Sequence, residues 1–326
     1  MKLIDIFSEL NLPPASNRNL FNASTLDNYS YAKVAINGEG FPVILISSLI
    51  DGTHLSKKNI RLKYLELTHN LECKISENGN VKFAEFSVII FKSNQSYLQK
   101  YFLGIAETLI KSLSLNPTQK EVYNSFNNLI EIFRSLSETP TKTVQGLWSE
   151  LLVIETSTNP ETLLNYWHCK PSEKFDFNAV SEKLEVKSNS NFERIHIFSS
   201  EQLNPTENNQ VVIASLFTKQ KVRGTSIENL LLSIKENINE NELIEKLFLI
   251  VSKTLGNTIE QSIKIKFDYD LAKNSLEFYK HQDISKIEKI NIPYKVSEVR
   301  YKSNLTEINP IIPQELKIGG QLYDAL

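Results

Sequence analysis

Apolar and polar positions alternate along residues 173–189, Glu-Lys-Phe-Asp-Phe-Asn-Ala-Val-Ser-Glu-Lys-Leu-Glu-Val-Lys-Ser-Asn. Successive side chains of a strand point to opposite faces, so Phe175, Phe177 and Ala179 share one face while Lys174, Asp176 and Asn178 share the other. The next run repeats the pattern, with Leu184 and Val186 set against Lys183, Glu185, Lys187 and Asn189, and predicts a tight hairpin with one apolar and one polar face. Upstream, after a short amphipathic start over residues 2–10, strand-like runs cover 31–36, 43–47, 60–68, 71–76 and 81–91. They are separated by Asn37-Gly38-Glu39-Gly40, by Asp51-Gly52 and by Glu77-Asn78-Gly79-Asn80, the last a strong hairpin signal. With a helix over 95–114, these runs predict an antiparallel β-rich N-terminal domain, residues 1–116.

Asn116-Pro117-Thr118 then punctuates the chain and opens a second domain, residues 117–326. Thr118 caps a predicted helix that reaches residue 136 and carries the stripe Val122, Phe126, Leu129, Ile130 and Phe133. A second helix, 143–156, holds Val144, Leu147, Leu151 and Ile154 on its apolar arc and Glu150 at the arc's edge. Beyond the hairpin, 194–198 reads as a third strand, 199–203 as a turn of helix, 211–217 as an apolar and therefore central strand, and 226–238 and 240–254 as helices. Strand-like runs at 263–269, 275–279 and 287–292 make a β-containing C-terminal extension. The order helix, three strands, turn, strand, helix is that of an α/β sandwich with a mixed sheet.

The hairpin brings a carboxylate, Asp176, onto one surface with a carboxylate and an amine two residues apart, Glu185 and Lys187. Such a set suits a hard divalent cation beside a fixed positive charge, the requirement of phosphodiester hydrolysis. The same alternation also fits an ordinary solvated hairpin face, and Glu-x-Lys recurs at Glu72 and Lys74, on a strand with no neighbouring carboxylate close in sequence. Lys219, Lys221 and Arg223 fall on one side of an extended chain, a pattern that fits a phosphate clamp, although a charge run after a strand is more often a solvated face; Arg194 is the remaining candidate DNA contact. Trp148 and Trp167 read as core, and His168 has no metal-ligand spacing to another histidine.

Context separates the hairpin from chance. The order Gly146-Leu147-Trp148-Ser149-Glu150-Leu151-Leu152, Trp167, Phe175-Asp176-Phe177, Leu184-Glu185-Val186-Lys187-Ser188, Glu201-Gln202-Leu203 resembles the PD-(D/E)XK motif proteins, most closely over residues 144–204. Phe175 stands where the name-giving proline would be. The resemblance implies a restriction-endonuclease-like mixed sheet flanked by helices, with its core at about 143–255, behind the N-terminal domain. It further implies a Mg²⁺-dependent DNA endonuclease, with Mn²⁺ as substitute ion, in a prokaryotic restriction or anti-phage system. Asp176 and Glu185 would bind the metal, the Val186 carbonyl would add a ligand, Lys187 would orient or activate water, Glu150 would complete the metal surroundings, and Gln202 would assist. The alternative is a nuclease-derived subunit that binds DNA or a partner without cutting. RNA as substrate stays open.

Composition narrows the partners. Thirty-six basic against thirty-eight acidic residues exclude a polybasic coat, so DNA contact needs a local patch. No apolar run reaches the roughly 18 residues of a membrane span, and the Met-Lys-Leu-Ile start lacks a signal-peptide core, so a cytoplasmic protein with no membrane partner is expected. Cys73 and Cys169 form no CxxC pair, which leaves no disulfide framework or structural zinc to expect. No GxxxxGK[ST] occurs, so an ATP-driven step would belong to an ATPase or helicase-like partner chain; a homodimer stays open.

Overall fold

The computed structural model describes residues 2–14, 20–49, 59–168, 173–206, 208–316 and 319–326. The turn expected at Asp51-Gly52 and the thiol of Cys169 lie outside the described residues. The chain divides into two units, Met1–Glu138 and Thr139–Leu326.

The first unit runs α1 (Leu3–Ser8), β1 (Leu20–Leu26), β2 (Tyr29–Ile36), β3 (Pro42–Ile46), β4 (Ile60–Arg61), β5 (Leu65–Glu77), β6 (Asn80–Phe91), α2 (Ser96–Ser112) and α3 (Gln119–Ser135). Its strands lie in the order β1-β2-β3-β6-β5-β4, and β1 also pairs with β5, which closes five of them into a ring. The expected antiparallel sheet is therefore a mixed one: β1 and β5 run parallel, Leu20 opposite Lys74, while its other pairs are antiparallel. The two strands expected at 60–68 and 71–76 largely merge into β5, because a bulge between Thr68 and Leu71, with Asn70 at φ 50°, absorbs the apparent break. Glu72 is exposed and faces Glu85 across the pair, a solvated face. The domain boundary moves from 116/117 to 138/139. Thr118 does cap α3 through a reciprocal box with Glu121, but Leu49 N–H donates to Pro117 O (2.9 Å) and Gln119 N–H to Leu49 O (3.1 Å), which ties the start of the helix to the first unit.

The second unit runs α4 (Val144–Thr156), α5 (Pro160–Tyr166), β7 (Phe177–Asn178), β8 (Glu182–Asn189), β9 (Ile195–Ser199), α6 (Ser200–Leu203), β10 (Gln210–Phe217), β11 (Gln220–Ser226), α7 (Ile227–Glu236), α8 (Asn241–Leu255), α9 (Ile259–Ser262), β12 (Lys266–Phe267), α10 (Tyr269–Asn274), β13 (Glu277–Lys280) and β14 (Arg300–Asn304). Its mixed sheet has the order β13-β10-β8-β7, with β8 parallel to β10 and the outer pairs antiparallel. The predicted hairpin is there as β7 and β8, and β10 is central as its apolar run requires.

Three expectations change. The third strand, β9, does not extend this sheet; the chain leaves β8 through Phe192 at φ 57° and β9 pairs antiparallel with β14. Residues 287–292 form no strand but a 3₁₀ turn at Lys289–Asn291, and Pro293 follows it with no N–H for a ladder. The run 263–269 is split, with Asp268 capping α10 by accepting from Leu271 N–H. The C-terminal segment is latched onto β8: the buried Glu182 carboxylate accepts N–H bonds from Gly320 (3.2 Å), Leu322 (2.8 Å) and Tyr323 (3.2 Å). A Cβ at Gly320 would lie 2.3 Å from that carboxyl carbon, so any larger residue would have to displace the buried carboxylate.

Candidate active site

Thr143 caps α4 by accepting from Gly146 N–H at 3.1 Å, and α4 packs against β8, with Gln145 Nε2 donating to Ser188 Oγ at 3.0 Å. This fixes Glu150 two turns into the helix, beside the loop that leads into β7. Glu150 is 3% exposed, deeper than the edge position its spacing predicts. Its Oε2 accepts from Trp167 Nε1 at 2.8 Å and its Oε1 from Lys142 Nζ at 2.7 Å. Trp167 is wholly buried, as expected for core, and also holds this carboxylate. Trp148 is core too, donating to Thr225 O and packing on Phe267.

Asp176 immediately precedes β7. Its Oδ2 accepts from the Val186 backbone N–H at 2.9 Å, and its Oδ1 from Lys142 Nζ at 2.5 Å. The N–H and C=O of one strand residue project to the same edge, so the Val186 carbonyl faces the Asp176 side of β8. On the same strand Glu185 lies opposite Ile213 of β10 and is 5% exposed. Lys187 Nζ is 2.7 Å from Glu185 Oε1, 5.3 Å over the Phe198 ring, and donates to Gln202 Oε1 at 3.4 Å. Gln202 is held in turn by Ser199 N–H, which donates to its Oε1, and by its own Nε2 donating to Lys174 O.

The electrostatics follow from this burial. Desolvation pushes the Glu150 and Glu185 carboxyls upward, and the nearby Asp176 charge adds to the rise; Lys142 and Lys187 oppose it. Burial alone would lower Lys142, but Asp176 and Glu150 outweigh it and hold the amine charged, above the ordinary lysine range.

The sequence-predicted residues thus fall into two neighbouring groups joined along β8: Glu150 and Asp176, with Asp176 bound to the Val186 N–H, and Glu185 with Lys187 and Gln202. Lys142 joins the first group unpredicted; its one sequence signal is its position next to the N-cap of the helix that carries Glu150. Among the described residues no three carboxylate, imidazole or thiolate groups are drawn together as a ready cage for an ion. Two ammonium groups stand among the carboxylates instead, and the Lys142 Nζ bridging Glu150 and Asp176 is a stand-in for a cation there. The oxygen donors fit a hard divalent ion, with Asp176, Glu185 and the Val186 carbonyl as the residues that would hold it.

A family model described as "Putative PD-(D/E)XK family member, (DUF4420)" matches residues 3–306. The chain belongs to this family. No curated protein and no solved structure matches it. The match reaches well beyond the motif region around Glu150, Asp176, Glu185 and Lys187, and takes in the first unit as well.

The remaining candidates fare differently. Arg194 is corrected from a DNA contact to an internal one: it is 8% exposed, donates to Ser215 O and Oγ and to Ser275 O, and pairs with Glu277 at 2.7 Å. β9 turns Arg194, His196 and Phe198 inward and leaves Ile197 exposed, because Ser215 supplies the polar partner that buried Arg194 and His196 require. Lys219 and Lys221 are exposed; Lys221 pairs with Asp268 at 2.9 Å and Lys219 Nζ lies 5.7 Å over Phe192. Arg223 is exposed on β11. No helix among the described residues is long and apolar enough to cross a membrane.

His196 makes a pH prediction. Burial, helped by the charges of Lys187 and Arg194, pushes its imidazole down to about 4, so the folded protein keeps it neutral where the unfolded chain binds a proton. Its contribution to stability is complete above the unfolded value near 6.5 and is lost as pH falls towards 4, by about 3 kcal/mol. Urea unfolding of the wild type and of His196→Gln from pH 7 to pH 4 should show the difference between them shrink by that amount. A pH-independent difference contradicts the neutral, buried imidazole.

Proposed function

We propose that this chain is a Mg²⁺-dependent DNA endonuclease whose second unit is a restriction-endonuclease-like core. The observation that carries this reading is Asp176 clamped to the Val186 N–H while Glu185 and Lys187 stand side by side on that same strand. When bound, the ion polarises the phosphate and acidifies a water. The chain's own residues supply the rest. Asp176 and Glu185 orient the ion's side of the site, Lys187 holds and neutralises the attacking oxygen, and Gln202 with the Phe198 ring keeps Lys187 from turning away. Glu150, fixed by Trp167, keeps Asp176 and Lys142 in place from across the loop. Family membership supports the nuclease class; the place in a prokaryotic restriction or anti-phage system, with an ATPase or helicase-like chain as partner, is part of the proposal.

The direct test is isosteric. Asp176→Asn and Glu185→Gln keep shape and remove charge, and each should abolish Mg²⁺- or Mn²⁺-dependent cleavage in a gel assay of DNA substrates, with and without partner chains, while the thermal melt shows an intact fold. Cleavage at the wild-type rate in either variant sinks the assignment.

For the DNA path we assign Lys219 and Arg223 as phosphate contacts, with Lys221 weaker because Asp268 already pairs with it. Removing Lys219 and Arg223 together should flatten the slope of log affinity against log salt by roughly 1.8, about 0.9 for each charge on duplex DNA. An unchanged slope returns both to a solvated face.

A second reading has one observation in its favour. An ammonium already bridges Glu150 and Asp176, which suits a nuclease-derived subunit that binds DNA without cutting. Salt-dependent DNA binding by a wild-type chain that takes up no Mn²⁺ and cuts nothing would move the account to that reading.

A further inference from the structure

Asp176 is the middle carboxylate of the site. It shares the Lys142 ammonium with Glu150 of α4 on one side and accepts from the N–H of Val186, the residue after Glu185 on β8, on the other. A two-metal phosphodiesterase site holds two ions about 3.5–4 Å apart, which stabilise the attacking and the leaving oxygen. Here the position between Asp176 and Glu150 already holds positive charge, the Lys142 Nζ at 2.5 Å from Asp176 Oδ1 and 2.7 Å from Glu150 Oε1. Glu150 is closed from the other side by Trp167 Nε1, and the residue before Lys142 is anchored where Thr141 N–H donates to Thr254 O at 3.1 Å. The ammonium is thus built in on both sides.

We propose that Lys142 takes the place of a second divalent ion, so that this site binds a single one, on the Asp176–Glu185 side. The inference rests on the metal-nuclease reading above. The geometry agrees with it. A second ion at Glu150 would have to displace the Lys142 ammonium that already pairs with one oxygen of Glu150 and one of Asp176, in a place where Glu150 is buried and its other oxygen is taken by Trp167 Nε1. Lys142 is on this account a positioning residue: it fixes Glu150 and Asp176 as a metal would and needs no ion to be supplied.

The test counts ions rather than cleavage. Mn²⁺ titration by calorimetry, with the free ion followed by electron paramagnetic resonance, should give one ion per wild-type chain and one per Lys142→Arg chain, because arginine keeps the cation. Lys142→Met, which keeps length and loses charge, should bind two. Two ions in the wild type overturn the proposal, and that count needs no variant to fold. One ion in Lys142→Met, bound more tightly than in the wild type, also overturns it, since the lysine would then be a competitor for the one metal position. A wild-type chain that binds no Mn²⁺ removes the metal-nuclease reading itself, a result distinct from either count.

Discussion

Lys187→Ala should lose turnover by about a hundredfold or more while still binding Mn²⁺, the expected size for deleting one preorganised charge at a developing oxyanion. The ammonium sits 2.7 Å from Glu185 Oε1 and is aimed by Gln202 and the Phe198 ring, so its loss removes an oriented group and not a mobile surface charge. Metal affinity should hold or rise modestly, because a like charge leaves the neighbourhood of the ion. The metal-free protein should be less stable, since Glu185 is then buried without its partner, and Mn²⁺ should restore part of that stability. Kinetics, calorimetry and a thermal melt on the same variant separate these effects. If metal binding and folding fail together and Mn²⁺ restores neither, Lys187 is a structural partner of Glu185, and the hairpin is an ion-paired face.

Lys142→Met should show the largest stability change, because it strips the charge partner from Glu150, which is 3% exposed, and from Asp176 at once. Breaking a buried pair by removing one member typically costs about 3–5 kcal/mol. For a unit of this size that corresponds to a fall in Tm of roughly 10 °C in metal-free buffer. Glu150→Gln combined with Lys142→Met should recover much of the loss, since the amide can still accept from Trp167 Nε1 and carries no charge to compensate. A single Lys142→Met variant as stable as the wild type would show that the ammonium is not needed to hold the two carboxylates.

The hairpin was legible because its pattern of period two and its chemistry agree: Phe177 and Leu184 pair on one face, and Asn178 pairs with Lys183 on the other. The cap at Thr118 was legible because it is local, whereas Thr143, read as the first residue of its helix, caps it instead. Lys142 was not, since nothing within a helical turn of it in sequence shows that Asp176, thirty-four residues on, will come within 2.5 Å. Arg194 was misread as a DNA contact because the buried polar partner that turns it inward, Ser215, comes from another strand. The boundary near residue 116 was a true break in the chain, but the helix after it packs backwards, and a proline signals where an element ends rather than which neighbours the next one joins.

The central claim is that Asp176 and Glu185 hold a divalent ion. A crystal soaked in Mn²⁺ and measured at the manganese absorption edge should show an anomalous peak contacting both carboxylates. No peak there, or a peak only at sites remote from Asp176 and Glu185, contradicts it.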